Sequence, residues 1–547
     1  MSISGSALRM SPMSHGTTRT RIVLLHWLAL LQVLGSLISG LRLYSGNRLA
    51  GEPSWASWLP TGNVYALHLT LASLWAVLAV AYALHFYLAR RSQSKPVQVQ
   101  ALPRGERANH VLVRIGRWLL SILLLSGVGV YFLGAASGDG WILPSHRYLA
   151  FALAAWVVLH GLTQVLGNQW PRVRAILFIQ ITPRALAQTA LVLPLIAGTV
   201  FLVARAASEG ATSVSLRVPS IPLEESMNLD GAGDEAAWQR APALEVVTAG
   251  IGENGVSVPV RVQALRQGAV IHFLFSWPDS THSLQHLPLI KTAKGWIVEQ
   301  QDLARNDEQR YYEDKFAVML AQHGDAAGNG AIHMGRAPLQ GKPESATGRG
   351  YHAAREGELV DVWHWKSVRT PHELGQLDDS HFGSPYPVVP GEVRYTAGYK
   401  SDPAIGGGYS ENWTWFKEGV ITPKRLPKDP ALIEPFQKAW PAGEEPLWGM
   451  SWYETVPYSP ERDTYPVGTR MPSVLWTSDL EDDRADVLAR GRWQSGRWTL
   501  EIRRGLKAQS KFDLDISDGT YLWVAPFDHA QTRHNYHLRP LRLRIEE

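Results

Sequence analysis

Five long apolar runs in the first 210 residues constrain this chain more than any other feature. A helix needs about 20 residues to cross a ~30 Å hydrocarbon core, and runs of that length fall at 22–43, 64–88, 112–133, 147–168 and 185–206. Within a bilayer a helix satisfies its own backbone N–H and C=O groups, so each run reads as a transmembrane helix. The first is too long for a secretory signal, and no small-residue cleavage site follows it. Basic residues orient the set. Arg90, Arg91, Lys95, Arg104, Arg107, Arg114 and Arg117 lie between or beside the second and third runs. Arg172, Arg174 and Arg184 lie between the fourth and fifth, and Arg19 and Arg21 precede the first. The opposite loops hold Arg42, Arg48 and Arg147. The positive-inside rule therefore makes residues 1–21 a cytoplasmic tail. Five crossings carry the rest of the chain to the far side, which in a bacterium is the periplasm, so the expected location is the inner (cytoplasmic) membrane.

A linker is expected at 207–217, and the grammar changes after it. In 218–547 short alternating or aromatic-rich runs ("VPVRVQAL", "AVIHFLFSW", "RWTLEIRR", "YLWVAPF") recur between Gly, Pro and Asp turns. That pattern is strand-like. The expected fold is an all-α membrane bundle of five helices (22–206) followed by a mainly-β periplasmic domain, a β-sandwich with long loops. The stretch 371–470, rich in Gly, Pro, Tyr and Trp, reads as a loop-rich insertion, with a short helix near 429–440. Its "IGGGYSENW" has neither a following helix nor a Lys-Ser/Thr pair, so it is no phosphate loop.

The chain has no cysteine. Disulfides, iron–sulfur clusters and thioether-linked haem are thereby excluded. A net charge of +4 is too small to indicate nucleic acid. Histidines carry the chemical signal. His26, His68, His85, His146 and His160 lie in or at the edges of the apolar runs, where ionisable groups are costly and usually face a functional interior. His146 and His160 are 14 positions apart on one run. At about 100° and 1.5 Å per residue they share a face to within about 40° and stand about 21 Å apart along the axis, one near each membrane surface. Helix directions then level His68 with His146 on the outer side and His26 with His160 on the inner side. Each pair can clamp one haem iron from two sides. His85, 17 positions after His68, is rotated about 100° off that face and reads as interfacial, with the inner-ligand role as its alternative. Gly35, Gly40, Gly127 and Gly129 would admit a flat macrocycle or close helix packing.

The segment "RIVLLHWLALLQVLGSLISGLRL", with Arg21, the His26-Trp27 pair and the Ser39-Gly40 exit, resembles the first span of the bacterial cytochrome b561 family. That family includes the membrane cytochromes of nickel–iron hydrogenases and formate dehydrogenases. "HRYLAFALAAWVVLH" fits its two-histidine fourth span. The resemblance covers about 18–206 and implies two haems b, with His26, His160, His68 and His146 on iron, and quinone as substrate.

Further along, "NLDGAGDEAAWQRAP", "FSWPDSTHS", "VDVWHWKSVRT" and "GRWTLEIRRGL" occur in the order found in the γ subunit of ethylbenzene dehydrogenase and its relatives. The resemblance covers about 215–547 and implies a third haem, held in that family between a Met and a Lys. Some relatives carry C-x-x-C-H. Here that slot reads "NGAIH" followed by Met334, so covalent attachment is lost while His333 or Met334 can still reach iron; one of the two is expected to. The opposite ligand is expected from "FDHAQTRHNYHLRP", which holds His529, His534 and His537, or from Lys366 or His364 in "WHWK". Lys366 on an alternating strand reads first as a solvated lysine.

No nucleophilic triad or isolated carboxylate pair is evident, and Asp482-Asp483 sits in a charged loop. The leading expectation is a respiratory electron-transfer cytochrome b, working alone or as a quinol-oxidising or quinone-reducing subunit of a larger oxidoreductase. Its partners would be the lipid bilayer, the quinone pool and a periplasmic redox protein or molybdoenzyme-type subunit. The alternative is a membrane-anchored module whose outer sandwich binds a ligand or carbohydrate and carries no haem.

Overall fold

A computed structural model describes residues 12–46, 55, 58–61, 63–91, 104–133, 141–166 and 213–546, except 251–255, 325–330, 372, 393, 415–418 and 441–443. The described chain forms two compact units, one helical and one mainly β. The helical unit contains α1 (Pro12–Gly46), α2 (Val64–Arg91), α3 (Arg104–Leu133) and α4 (Ile142–Leu166). All four are long and apolar enough to cross a membrane. The fifth expected span, 185–206, lies outside the described residues. Leu31, Val80, Leu125 and Val158 each project outward with more than half of their surface exposed, as lipid-facing side chains do.

Polar contacts tie the helices in pairs. Gln32 of α1 donates to the Leu71 carbonyl of α2. Trp156 Nε1 of α4 donates to Leu112 O of α3 at 2.8 Å, and Gln164 Nε2 meets Asn109 Oδ1 at 2.6 Å. Gly116 lets α3 approach that indole: a Cβ there would lie 2.1 Å from the Trp156 ring. Interhelical hydrogen bonds and small residues are the usual cohesive devices where lipid removes the hydrophobic drive between helices.

The β unit is a two-sheet sandwich. One sheet orders its strands Val214–Val218, Leu541–Ile545, Tyr521–Phe527, Lys315–Ala321, Val360–Lys366, Asp378–Phe382, Tyr399–Ser401. The other orders them Leu488–Trp493, Arg497–Gly505, Val270–Pro278, Val258–Gln267, Leu244–Thr248. Side chains alternate across each strand. Phe316, Val318, Trp363, Trp365, Leu522 and Val524 of the first sheet meet Phe273, Phe275, Trp277, Leu500 and Ile502 of the second in one core.

Two boundaries differ from the sequence reading. Residues 214–217, expected in the linker, belong to a strand that pairs in parallel with Leu541–Ile545; its partner lies more than 300 residues away, so no local pattern could reveal it. The stretch 371–470 contributes Asp378–Phe382 and Tyr399–Ser401 to the edge of the larger sheet. It also builds a second core with Trp296 and Tyr312, through Trp413, Phe436 and Trp448. The short helix expected there is a 3-10 helix, Pro430–Gln437, capped by Asp429.

Candidate functional site

In the helical unit the same device occurs twice. Ser39-Gly40 on α1 faces His68 on α2, and Ser126-Gly127 on α3 faces His146 on α4. Ser39 Oγ lies 2.9 Å from His68 Nδ1, and Ser126 Oγ lies 2.9 Å from His146 Nδ1. Each hydroxyl also reaches the carbonyl three residues earlier, Ser36 O at 3.1 Å and Leu123 O at 2.9 Å. A carbonyl can only accept, so it takes the hydroxyl proton, and the imidazole must donate from Nδ1. Nε2 is then the unprotonated nitrogen, the form a metal requires. The glycines leave room: a Cβ at Gly40 would stand 3.3 Å from His68 Cε1, and one at Gly127 3.2 Å from His146 Cε1. The two rings approach to 6.4 Å between centroids, at 85°.

His26 and His160 interact electrostatically at the other level. Trp156 stacks on His160 at 5.0 Å and 6°. His160 Nδ1 is buried with no hydrogen-bond partner among the described residues. The side chain of His85 lies outside the described residues.

In the sandwich the outer face of the larger sheet carries the second cluster. Strand register sets His364 beside Ala317, which in turn neighbours Ala525. Two alanines in that row leave a shallow floor, and Met319 lies on the same face. His364 and His534 both contact the Phe527 ring, at 5.3 and 4.9 Å. His352 lies 6.4 Å from His534 and stacks on Phe382 at 5.1 Å. His333 interacts electrostatically with His352, across the hairpin of Ile332–Met334 and Gly350–His352. That hairpin depends on Gly350, at φ 134°, where a Cβ would sit 2.0 Å from His333 O. Burial and the nearby His534 and His333 push His352 down to about 3. Burial together with Lys366, Lys315, Arg369 and His534 holds His364 well below the usual histidine range. These imidazoles are neutral, and His364 Nε2 is buried with no hydrogen-bond partner among the described residues. An orphaned nitrogen of a neutral imidazole among aromatic rings suits a haem iron.

The structure thus brings together His333, His534 and His364 of the sequence candidates. It adds His352, a histidine in a three-residue strand with no local motif to mark it. The others are placed elsewhere. Met334, next to His333, points to the opposite side of its strand and is buried. His537 uses both nitrogens: Nε2 accepts from Val524 N at 3.0 Å, and Nδ1 lies 2.8 Å from Arg539 O. His529 pairs with Asp528. Lys366 is not solvated. It is 6 % exposed and ion-paired with Asp378, which also binds Arg484. The expectation failed because Asp378 stands beside His364 on the neighbouring strand and covers the lysine. Next to it, Glu313 binds Arg369 at 2.5 Å and His286 at 3.1 Å. Burial would raise the Glu313 carboxyl, yet Arg369 and the hydrogen-bonded His286 hold it well below the usual range.

On the inner side of the same strand, Trp365, Trp493, Trp498 and His282 line a cleft of about 530 Å³.

No curated protein sequence matches the chain. A carbohydrate-binding protein from Bacteroides uniformis aligns over 61% of this chain and 100% of its own, at 8% identity and a TM-score of 0.26. A family 9 carbohydrate-binding module from Caldicellulosiruptor kristjanssonii, in complex with cellotriose, aligns over 61% of this chain and 95% of its own, at 8% identity and a TM-score of 0.23. Likeness at that level transfers neither fold nor ligand. The family comparison is specific. Residues 17–178 match the family described as prokaryotic cytochrome b561, and residues 235–539 match the one described as ethylbenzene dehydrogenase. With more than half of its length in the second match, the chain belongs to the ethylbenzene dehydrogenase family, and the segment ahead of that domain is similar to prokaryotic cytochrome b561.

Proposed function

We propose that the protein moves electrons between the quinone pool and a periplasmic redox partner, holding two haems b in the membrane and one in the outer domain. The observation that carries this reading is the repeated Ser-Gly/His arrangement on α1–α2 and α3–α4. His68 with His146, and His26 with His160, would hold the membrane haems. His364, with His534, His352 or His333 opposite, would hold the outer one. Haem supplies one-electron iron chemistry when bound. The chain's own residues fix the ligands. Ser39 and Ser126 keep the proton on Nδ1 and lock the ring orientation. Trp156 fixes the His160 plane. Phe527 and Phe382 exclude water around the outer imidazoles. The orientation remains the one set by the basic loops, with the N-terminus cytoplasmic and the sandwich periplasmic. Direct partners are then the bilayer, quinone, and a periplasmic redox protein or molybdoenzyme-type subunit.

Pyridine haemochrome analysis of the purified full-length protein tests the reading, with three haems b per chain expected. Two would leave the outer domain empty and favour a ligand-binding sandwich that uses the Trp365–Trp498 cleft. None would overturn the histidine pairing.

Ser39→Ala and Ser126→Ala should each weaken retention of the outer membrane haem by about 10–100-fold, the usual consequence of losing the group that orients a metal-bound histidine. A haem-to-protein ratio measured after detergent exchange reports it, with the helical circular dichroism unchanged. Full retention in both variants would show that the serines only pack.

A further inference from the structure

Between the two sheets, on the face of strand Val360–Lys366 opposite His364, the sandwich buries acid where a core should be apolar. Asp361 and Asp379 are fully buried and Asp513 is 7 % exposed. Each offers one carboxylate oxygen to a group of three that lie within 4.8 Å of one another. Asp402 and Asp486 press on the same spot electrostatically, and Asp379 and Asp486 face each other carboxyl to carboxyl.

The neighbouring donors do not satisfy them. Asp361 accepts from Leu514 N at 3.2 Å, Asp379 from Ser380 N at 2.8 Å, and Asp513 from Ser510 Oγ at 2.9 Å. Arg504 stands beside three of the carboxylates, 3.6 Å from Asp361, 3.4 Å from Asp486 and 3.3 Å from Asp513. His381 binds Asp402. One oxygen of each of the five carboxylates is buried with no hydrogen-bond partner among the described residues, that of Asp513 having Arg504 as an ion-pair neighbour. Among the described residues five acids face two basic side chains, Arg504 and His381. Uncompensated charge in such a place is costly.

We propose that Asp361, Asp379 and Asp513, supported by Asp402 and Asp486, form a structural site for a hard divalent cation, Ca²⁺, that staples strands Val360–Lys366 and Asp378–Phe382 to the loop after Arg497–Gly505. The donors are all oxygen, which selects Ca²⁺, Mg²⁺ or Mn²⁺ over softer metals. Several carboxylates converging on one point favour Ca²⁺, which takes six to eight oxygens at about 2.3–2.6 Å, over Mg²⁺, which usually keeps several waters.

The test uses the detergent-solubilised full-length protein, stripped with EGTA and then dialysed against CaCl₂ alone. One Ca²⁺ per chain by elemental analysis and a higher Tm in Ca²⁺ than in EGTA are expected. Asp379→Asn and Asp361→Asn should lose the bound Ca²⁺ and the Tm difference. Asp528→Asn, which alters a separate acidic group at Asp314 and His529, should keep both. Should the two core variants fail to fold, the wild-type protein still decides. No Ca²⁺ above the dialysis blank, with the same Tm in Ca²⁺ and EGTA, would show that shared protons neutralise the cluster and overturn the site. Loss of Ca²⁺ in Asp528→Asn with retention in Asp379→Asn would overturn it as well.

Discussion

His146→Ala yields a protein with two haems instead of three, and quinol no longer reduces the outer domain at a useful rate. Removing an orienting partner of a metal-bound histidine already costs about 10–100-fold, so removing the ligand itself should lower quinol-driven reduction by at least about 100-fold. The level at which His146 stands explains the effect. It shares that level with His68, whose Nδ1 is fixed by Ser39 as that of His146 is by Ser126. Reduction of the outer haem by dithionite should survive, because the outer site does not include His146. Stopped-flow reduction with a quinol analogue, beside a dithionite control, reads both numbers. Unchanged quinol-driven reduction in His146→Ala would sink the electron path proposed here. His26→Ala provides the comparison, since it should remove the inner haem and leave the His68–His146 level intact.

The second large effect separates the outer ligand from its structural neighbours. His364→Ala should remove the outer haem and leave the sandwich folded, because its Nε2 makes no hydrogen bond among the described residues that folding would miss. His537→Ala should do the reverse. It strands the Val524 N–H in the core, where an unsatisfied buried donor costs about 1–3 kcal/mol, and it opens a cavity besides, yet the haem count should stay at three. Lys366→Met is the sharper control. It leaves Asp378 buried with Arg484 as its remaining cation, a loss of about 3–5 kcal/mol for a broken buried pair. Its reduced-minus-oxidised spectrum should match wild type. Urea unfolding and pyridine haemochrome counts on the same preparations report the two axes. A haem lost with Lys366 and kept without His364 would reverse the assignment and restore the lysine that the family resemblance implies.

Much of this architecture is legible in the sequence. The strands expected from "VPVRVQAL", "AVIHFLFSW", "RWTLEIRR" and "YLWVAPF" all form, because period-two burial is a property of the extended backbone itself. Four of the expected spans are apolar helices for a similarly local reason. The pairing of His68 with His146 could be argued from helix rise and direction alone. Lys366 could not be read correctly, since whether it meets water depends on which residue the neighbouring strand sets opposite.

The sequence by itself determined the two-part architecture and the absence of any thioether-linked haem, and it limited which membrane histidines can share a level. Each follows from composition or from the geometry of a single helix or strand. Tertiary structure alone decided the rest. It joined His333, His352, His364 and His534 from four separate segments, turned Met334 and His537 away from that cluster, and gathered five acids between the sheets. These outcomes depend on strand register, where a slip of one residue moves every side chain to the other face. Register is set by pairing between segments up to hundreds of residues apart, as between Val214–Val218 and Leu541–Ile545.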